Sequence, residues 1–203
     1  MDRILISLSE RGNVRSNFIV TGRPGCGKTT VLEKLAERLR DRGYTVGGII
    51  CPEIRDRGRR MGFEIIDLLG RSGTLSHVRL ADSGVPMVSR YGVNMDGLSE
   101  ISREAFERQP EVFVVDEIGP MEIKSQVFTK GVGRILDSGI PVAASIHHRI
   151  SEVAGLRIRK REDTAVMNVT RENRDRLPQK MEDEIVEVIV RRGGNGGNLR
   201  KDF

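Results

Sequence analysis

The sequence predicts an α/β fold: a three-layer arrangement with a mostly parallel sheet between helices and an antiparallel hairpin extension. Three observations carry that reading. Short apolar runs alternate with amphipathic stretches along most of the chain, the pattern of a parallel sheet covered on both faces. The first apolar run, Phe18–Thr21 (FIVT), ends in the glycine-rich GRPGCGKT of residues 22–29 and passes straight into a helical pattern. Between Thr45–Cys51 (TVGGIIC) and Gly62–Leu68 (GFEIIDL) stands RDRGRR, residues 55–60, which reads as a turn. Two strands joined by a turn pair antiparallel, whereas parallel neighbours need a long crossover.

From Thr29 to about Arg42 the pattern is an amphipathic helix, with Val31, Leu32, Leu35 and Leu39 on one face and Gly43 placed to cap it. Strands are expected at 45–51, 62–68 and 74–80, the last being TLSHVRL. A helix near Met95–Arg108 places Leu98, Ile101, Ala105 and Phe106 on one side. A strand at Val112–Val115, a helix near Ser125–Asp137 and a strand at Pro141–Ile146 follow. A last strand, Ala165–Val169, precedes a helix near Gln179–Arg191. One domain over residues 1–192 is expected, with residues 1–16 an N-terminal extension of open role and 193–203 a flexible, glycine- and asparagine-rich tail.

Composition bounds the class. A chain of 203 residues, 37% hydrophobic and 31% charged, is large enough for one sizeable core. No apolar run approaches the ~20 residues of a membrane helix, and the start MDRILISLSERG is not a secretory signal. Cys26 and Cys51 are too few for a disulfide framework, so a cytoplasmic setting is expected. The net charge is +5 and the pI near 9.5, with basic clusters at Arg55–Arg60 and Arg157–Arg161. Aromatics make up only 4% of the chain and none lies inside those clusters to stack on bases. A solvated surface, or basic groups facing a polyphosphate, is favoured over a nucleic-acid groove.

The stretch at 22–29 supplies the first chemistry. GRPGCGKT fits G-x-x-x-x-G-K-[ST] in full, after a strand and opening a helix, the context that gives the motif its meaning. Gly22, Gly25 and Gly27 let the backbone curl so that its N–H groups converge on phosphate oxygens. The free donors and positive end of the helix add to the cradle. Lys28 is expected to reach the β- and γ-phosphates, and the Thr29 hydroxyl to ligate Mg²⁺.

VVDEIGPMEI, residues 114–123, supplies the second. Adjacent carboxylates at the end of a buried apolar strand need a partner. Asp116 is expected to face the Mg²⁺ held by Thr29, and Glu117 the water that attacks the γ-phosphorus. A salt-bridge or anchoring role for Glu117 is the alternative. The expected nucleotide-binding residues are Gly22, Arg23, Pro24, Gly25, Cys26, Gly27, Lys28, Thr29, Thr30, Asp116, Glu117 and Gly119. Lys28 and Glu117 are the expected catalytic pair, Thr29 and Asp116 the expected metal supports.

Together, FIVTGRPGCGKTTVLEKL, GYTVGGIICPEIRDRGRRMGFEIIDLLG, VSRYGVNMDGLSEI, VFVVDEIGPMEIKSQVF, GIPVAASIHHR and VTRENRDRLP resemble the THEP-type nucleoside-triphosphatases. This small P-loop family is shared by thermophiles and animals and includes the human cancer-related nucleoside-triphosphatase. The resemblance spans roughly residues 17–190. The 47–70 run and DEIGPMEIKS are its most specific parts. It implies a RecA-like P-loop fold and Mg²⁺-dependent, slow hydrolysis of ATP, GTP and other nucleoside triphosphates to diphosphate and phosphate. After Arg149, ISEVAGLRIRKRED follows the family only loosely, so an active-site arginine is not assigned there.

Other residues have two readings each. His147 could sense the γ-phosphate or be satisfied by a loop carbonyl. Arg55, Arg59 and Arg60 could reach the phosphates or belong to a solvated turn. Asn173 and Arg174 could touch base or ribose. The function expected is a monomeric Mg²⁺-dependent nucleoside-triphosphatase; a kinase on the same scaffold and a nucleotide-dependent RNA- or DNA-binding module are the alternatives.

Overall fold

The computed structural model describes residues 15–148, 150 and 155–194. Most of the N-terminal extension and the tail beyond residue 194 lie outside the described residues. The strands are β1 (Asn17–Thr21), β2 (Val46–Ile50), β3 (Glu53–Asp56), β4 (Arg59–Asp67), β5 (Ser72–His77), β6 (Met87–Val88), β7 (Tyr91–Val93), β8 (Val112–Ile118), β9 (Val142–Ile146) and β10 (Thr164–Asn168). The helices are α1 (Lys28–Asp41), α2 (Met95–Glu107), α3 (Gln126–Asp137) and α4 (Leu177–Gly194).

All ten strands join one sheet in the order β10-β1-β9-β8-β2-β4-β5-β7-β6, with β3 paired to β4. From β10 to β2 every pairing is parallel. From β2 onward every pairing is antiparallel. The alternation of strand and helix in the sequence thus describes one half of the sheet, and the hairpin signal the other.

Period-2 alternation explains how the parallel half is covered. Phe18, Val20, Val112 and Val114 point to the layer where Val31, Leu32, Leu35 and Leu39 of α1 meet Met181 and Ile185 of α4. Ile19, Phe113 and Val115 point the other way, into a core with Leu98 and Phe106 of α2 and Phe128, Val132 and Ile135 of α3. Gly131 lets α2 and α3 close together, since a Cβ there would sit 2.4 Å from the Phe106 ring. Asn94 and Ser125 cap α2 and α3 by accepting from the N–H groups of Gly97 and Phe128.

The antiparallel half is larger than a hairpin. RDRGRR is mostly strand, because β3 ends at Asp56 and β4 starts at Arg59, leaving only Arg57 and Gly58 as the turn. The 74–80 strand begins earlier and stops at His77, where its ring accepts from the N–H of Arg79 and starts a 3-10 turn. β6 and β7 were not expected, since two and three residues show no periodicity.

Candidate functional site

Parallel strands open their carboxyl ends toward the loops that follow them, and ligands in such sheets bind there. β1 ends at Thr21 and turns into residues 22–27, after which α1 begins at Lys28. The turn is tight. A Cβ on Gly22 would lie 2.7 Å from both the Val169 carbonyl oxygen and Cys26 Sγ, while Gly27 holds a left-handed φ of 108°. Arg23, Pro24 and Gly25 form the exposed crest, and Thr30 is exposed on the first turn of α1.

Unlike α2 and α3, α1 has no side-chain cap, and its first turn holds no acid. Its leading N–H groups therefore keep their donors and their positive dipole end for an anion.

β8 brings the carboxylates to the same edge. Asp116 stands opposite Ile50 of β2 and is 2% exposed. It shares the strand face of Val112 and Val114, which is the face covered by α1, and there the Thr29 hydroxyl hydrogen-bonds to it. Ser145 of β9 also donates to it, at Oδ1. Burial raises the Asp116 pKa, while Ser145, Thr29 and Lys28 pull it back.

The β8–β9 ladder runs to Val115–Ala144 and resumes at Ile118–Ile146. The extra residue is a bulge, a device that re-aims side chains beside binding sites. It leaves Glu117 half-buried, with its Oε1 3.5 Å from Lys28 Nζ. Burial raises the Glu117 pKa, Lys28 opposes that, and Asp116 adds to it.

Glu122 was not singled out in the sequence. It is 5% exposed, on the 3-10 turn after β8, and accepts from its own backbone N–H and that of Gly119. Gly119 separates two acids: a Cβ there would meet Glu122 Oε2 at 2.7 Å and Glu117 Oε2 at 3.3 Å. Burial, then the charges of Glu117 and Asp116, raise the Glu122 pKa to about 8. Beneath the acids lies the buried Cys51, whose thiol is also pushed up by burial. The signal in the sequence was a lone acid flanked by Met121 and Ile123.

The remaining candidates divide. Arg174 packs its side chain over Gly27, 3.1 Å from where a Cβ would be, so it does reach the loop. Asn173 is spent locally, accepting from the N–H of Thr170 and donating to the Asn168 carbonyl. The His147 N–H donates to the Ile118 carbonyl, and its ring lies 4.5 Å from that of His148. Arg55 and Arg60 pair with Glu53 on their own hairpin, and Arg60 also lies over the Phe63 ring.

A doubly covered parallel sheet carrying a full phosphate loop, with an acidic strand end facing its Lys and Thr, defines the class of P-loop nucleotide-binding proteins. Within that class the chain belongs to the NTPase family, whose model matches residues 17–182. It is 43% identical over 180 residues to the nucleoside-triphosphatase THEP1 of Methanopyrus kandleri, covering 87% of this chain and 98% of that protein. The Thermofilum pendens protein of the same name is 44% identical over 180 residues, covering 86% and 98%. Two solved structures share the fold. THEP1 from Aquifex aeolicus has a TM-score of 0.67 at 32% identity and covers 81% of this chain and 96% of that one. A human cancer-related nucleoside triphosphatase has a TM-score of 0.67 at 30% identity and covers 90% and 99%. Among the described residues no helix is long and apolar enough to cross a membrane.

Proposed function

We propose that this chain is a nucleoside-triphosphatase that hydrolyses ATP, GTP and other nucleoside triphosphates to diphosphate and phosphate, with Mg²⁺ and with modest base selectivity. The observation that carries the reading is the convergence of Lys28, Thr29, Asp116 and Glu117 at one sheet edge, beside a helix N-terminus left free of caps. The names of the relatives support it from a separate direction.

The donors suit Mg²⁺. A hydroxyl and a carboxylate are hard oxygen ligands, and Mg²⁺ is ordinarily held by one or two such groups, with waters and substrate phosphates filling the rest. Thr29 and Asp116 would hold it, the latter through water. Once bound, the ion neutralises charge on the phosphate oxygens.

Lys28 pairs with Glu117 at 3.5 Å and offsets its charge. A triphosphate in the loop competes for Lys28, and the Glu117 carboxylate is then released to accept a hydrogen bond from water. Its burial raises its basicity, the property a proton acceptor needs at neutral pH. The loop N–H groups and Lys28 hold the phosphoryl group in place, so positioning and charge stabilisation supply most of the acceleration.

The reading carries a cytoplasmic monomer of one P-loop domain. It is tested by phosphate release from each of the common nucleoside triphosphates, with and without Mg²⁺ and with no added acceptor. Release from ATP and GTP at comparable rates is expected. Release that needs a co-substrate, with a phosphorylated product, would make it a kinase instead.

A further inference from the structure

Three arginines in RIRKR have different fates. Arg161 binds Asp163 and Asp137, and Arg157 is exposed. Arg159 goes inward. It sits on the short 3-10 helix Ile158–Lys160 that leads into β10. Its neighbour Ile158 is buried in the core shared with α2 and α3. That anchor, and the parallel pairing of β10 with β1, fix where the Arg159 side chain emerges.

It emerges at the edge that carries the phosphate loop. Arg159 Nη2 donates to Thr21 Oγ1 at 3.2 Å and to the His147 carbonyl at 3.4 Å. Thr21 is the last residue before Gly22, and His147 follows β9, the strand lying between β1 and the acidic end of β8. Its Nε is buried and has no hydrogen-bond partner among the described residues. Nor does a carboxylate pair with it there, whereas Arg38, Arg108 and Arg161 each have one. A guanidinium carries five donors and a permanent charge, and two neutral oxygens at its edge leave most of that unmet. Such a group is half-buried at a cost unless an anion completes it.

The position says which part of the nucleotide that anion is. The reacting phosphoryl group must lie within reach of Glu117, which puts it on the β8 side of the loop. Arg159 arrives on that side, over the end of β9. Arg174 lies instead on Gly27, where the loop passes into α1.

We propose that Arg159 is the internal arginine of this enzyme, contacting the γ-phosphoryl oxygens of the bound triphosphate and stabilising the charge that develops on them. The proposal rests on the hydrolase reading. In that step the water oxygen bonds to the γ-phosphorus and its proton passes to Glu117. The bond to the bridging oxygen breaks, and the diphosphate leaves with the electron pair. The arginine is a spectator to the proton and acts on the oxygens alone.

The test uses the full chain with Arg159→Ala and Arg159→Lys. It measures kcat and KM for ATP with Mg²⁺, ADP affinity by titration, and the tightening of ADP binding by fluoroaluminate, which imitates the transferring phosphoryl group. For Arg159→Ala, kcat is expected to fall by at least about 10²-fold. ADP affinity should stay within about threefold of wild type, because the diphosphate lacks the contacted group. The fluoroaluminate effect should be lost, and millimolar guanidinium should restore part of the turnover. Arg159→Lys keeps a charge and the aliphatic stem, so it guards against a folding defect and should fall between the two. A kcat within about threefold of wild type in both variants overturns the inference, as does loss of ADP affinity that accounts for the whole effect. Wild-type phosphate release is the reference. If wild type itself releases none, the hydrolase reading falls and takes this inference with it; if wild type is active and the variants match it, the inference alone falls.

Discussion

In the parallel half of the sheet, β8 buries Val112 to Asp116 without a gap; in the antiparallel half, β3 has no buried residue at all. The same contrast runs through the side chains. Charges of the parallel half face inward at one edge, where Asp116, Glu117 and Glu122 are desolvated and their pKa values raised. On the β3–β4 hairpin of the antiparallel half the charges face water and pair with near neighbours, as Arg55 and Arg60 do with Glu53, while the buried Asp67 at the end of β4 pairs with Arg108, just past α2. Charge–charge energies grow as the effective dielectric falls, so a carboxylate at the end of β8 has far more leverage than one on β3. The difference teaches where the chemistry is: in the half whose backbone is over-determined by packing on both faces.

The sharpest way to break that comparison is to alter the two acids separately. Glu117→Gln keeps shape and hydrogen bonding but removes the base. Nucleotide binding should persist while single-turnover hydrolysis falls by about 10²–10⁴-fold. Asp116→Asn should instead raise the Mg²⁺ needed for activity, because a neutral amide supports the ion less well. A Glu117→Gln enzyme running near the wild-type rate would leave the water with another activator, His147 being the first to examine.

Lys28→Ala comes next. A single donor aimed at developing charge is worth about 10²–10³-fold in turnover, and the variant should keep its fold, since the Lys28 side chain pairs with Glu117 in the site and belongs to neither hydrophobic core. Unchanged turnover would move the chemistry away from the phosphate loop.

Much of this half was legible in the sequence, for physical reasons. Val112–Val115 is buried on both faces and so reads as an unbroken apolar run. The loop must be GRPGCGKT-like because only glycine tolerates the approach of the Val169 carbonyl to residue 22. The β6–β7 pair was not legible, being too short for a period to show. Glu122 and Arg159 were not legible either, because each is defined by what folds over it. Glu122 looks like any acid on a turn until Gly119 and Cys51 enclose it, and Arg159 like part of a solvated basic cluster until β10 returns beside β1.

Glu122 tests the comparison through stability. Its folded carboxyl keeps a proton up to about pH 8, whereas the unfolded chain releases it near 4.5. Between those values the native state binds more protons, so this group's contribution makes stability fall as pH rises through that window and level off above it. Glutamine cannot lose a proton, so the melting temperature of Glu122→Gln should gain on wild type from pH 5 to pH 8. Each kcal/mol of that gap is about 2–4 °C for a chain this size. A gap that does not change with pH would mean that Glu122 is ionised in the folded protein at neutral pH.

The smallest effect belongs to the antiparallel half. β3 and β4 are joined by Arg57 and Gly58, with φ of 44° and 81°. Positive φ at both central residues is the type I′ turn, which matches the twist of the flanking strands and favours Asn-Gly. Arginine in the left-handed region is strained by the contact of its Cβ with the following carbonyl, at a cost of about 1–2 kcal/mol that asparagine partly avoids. Arg57→Asn should therefore stabilise the protein by about 0.5–1 kcal/mol, seen as a rise of roughly 1–4 °C in thermal unfolding. Because the substituted side chain is exposed and the site lies on the other half, kcat and KM for ATP should not move. A gain in melting temperature with unchanged kinetics would separate the two halves as argued. A tenfold loss of turnover in so mild a variant would bring the arginine hairpin into the catalytic cycle, and the division between a working half and a supporting half would have to be redrawn around it.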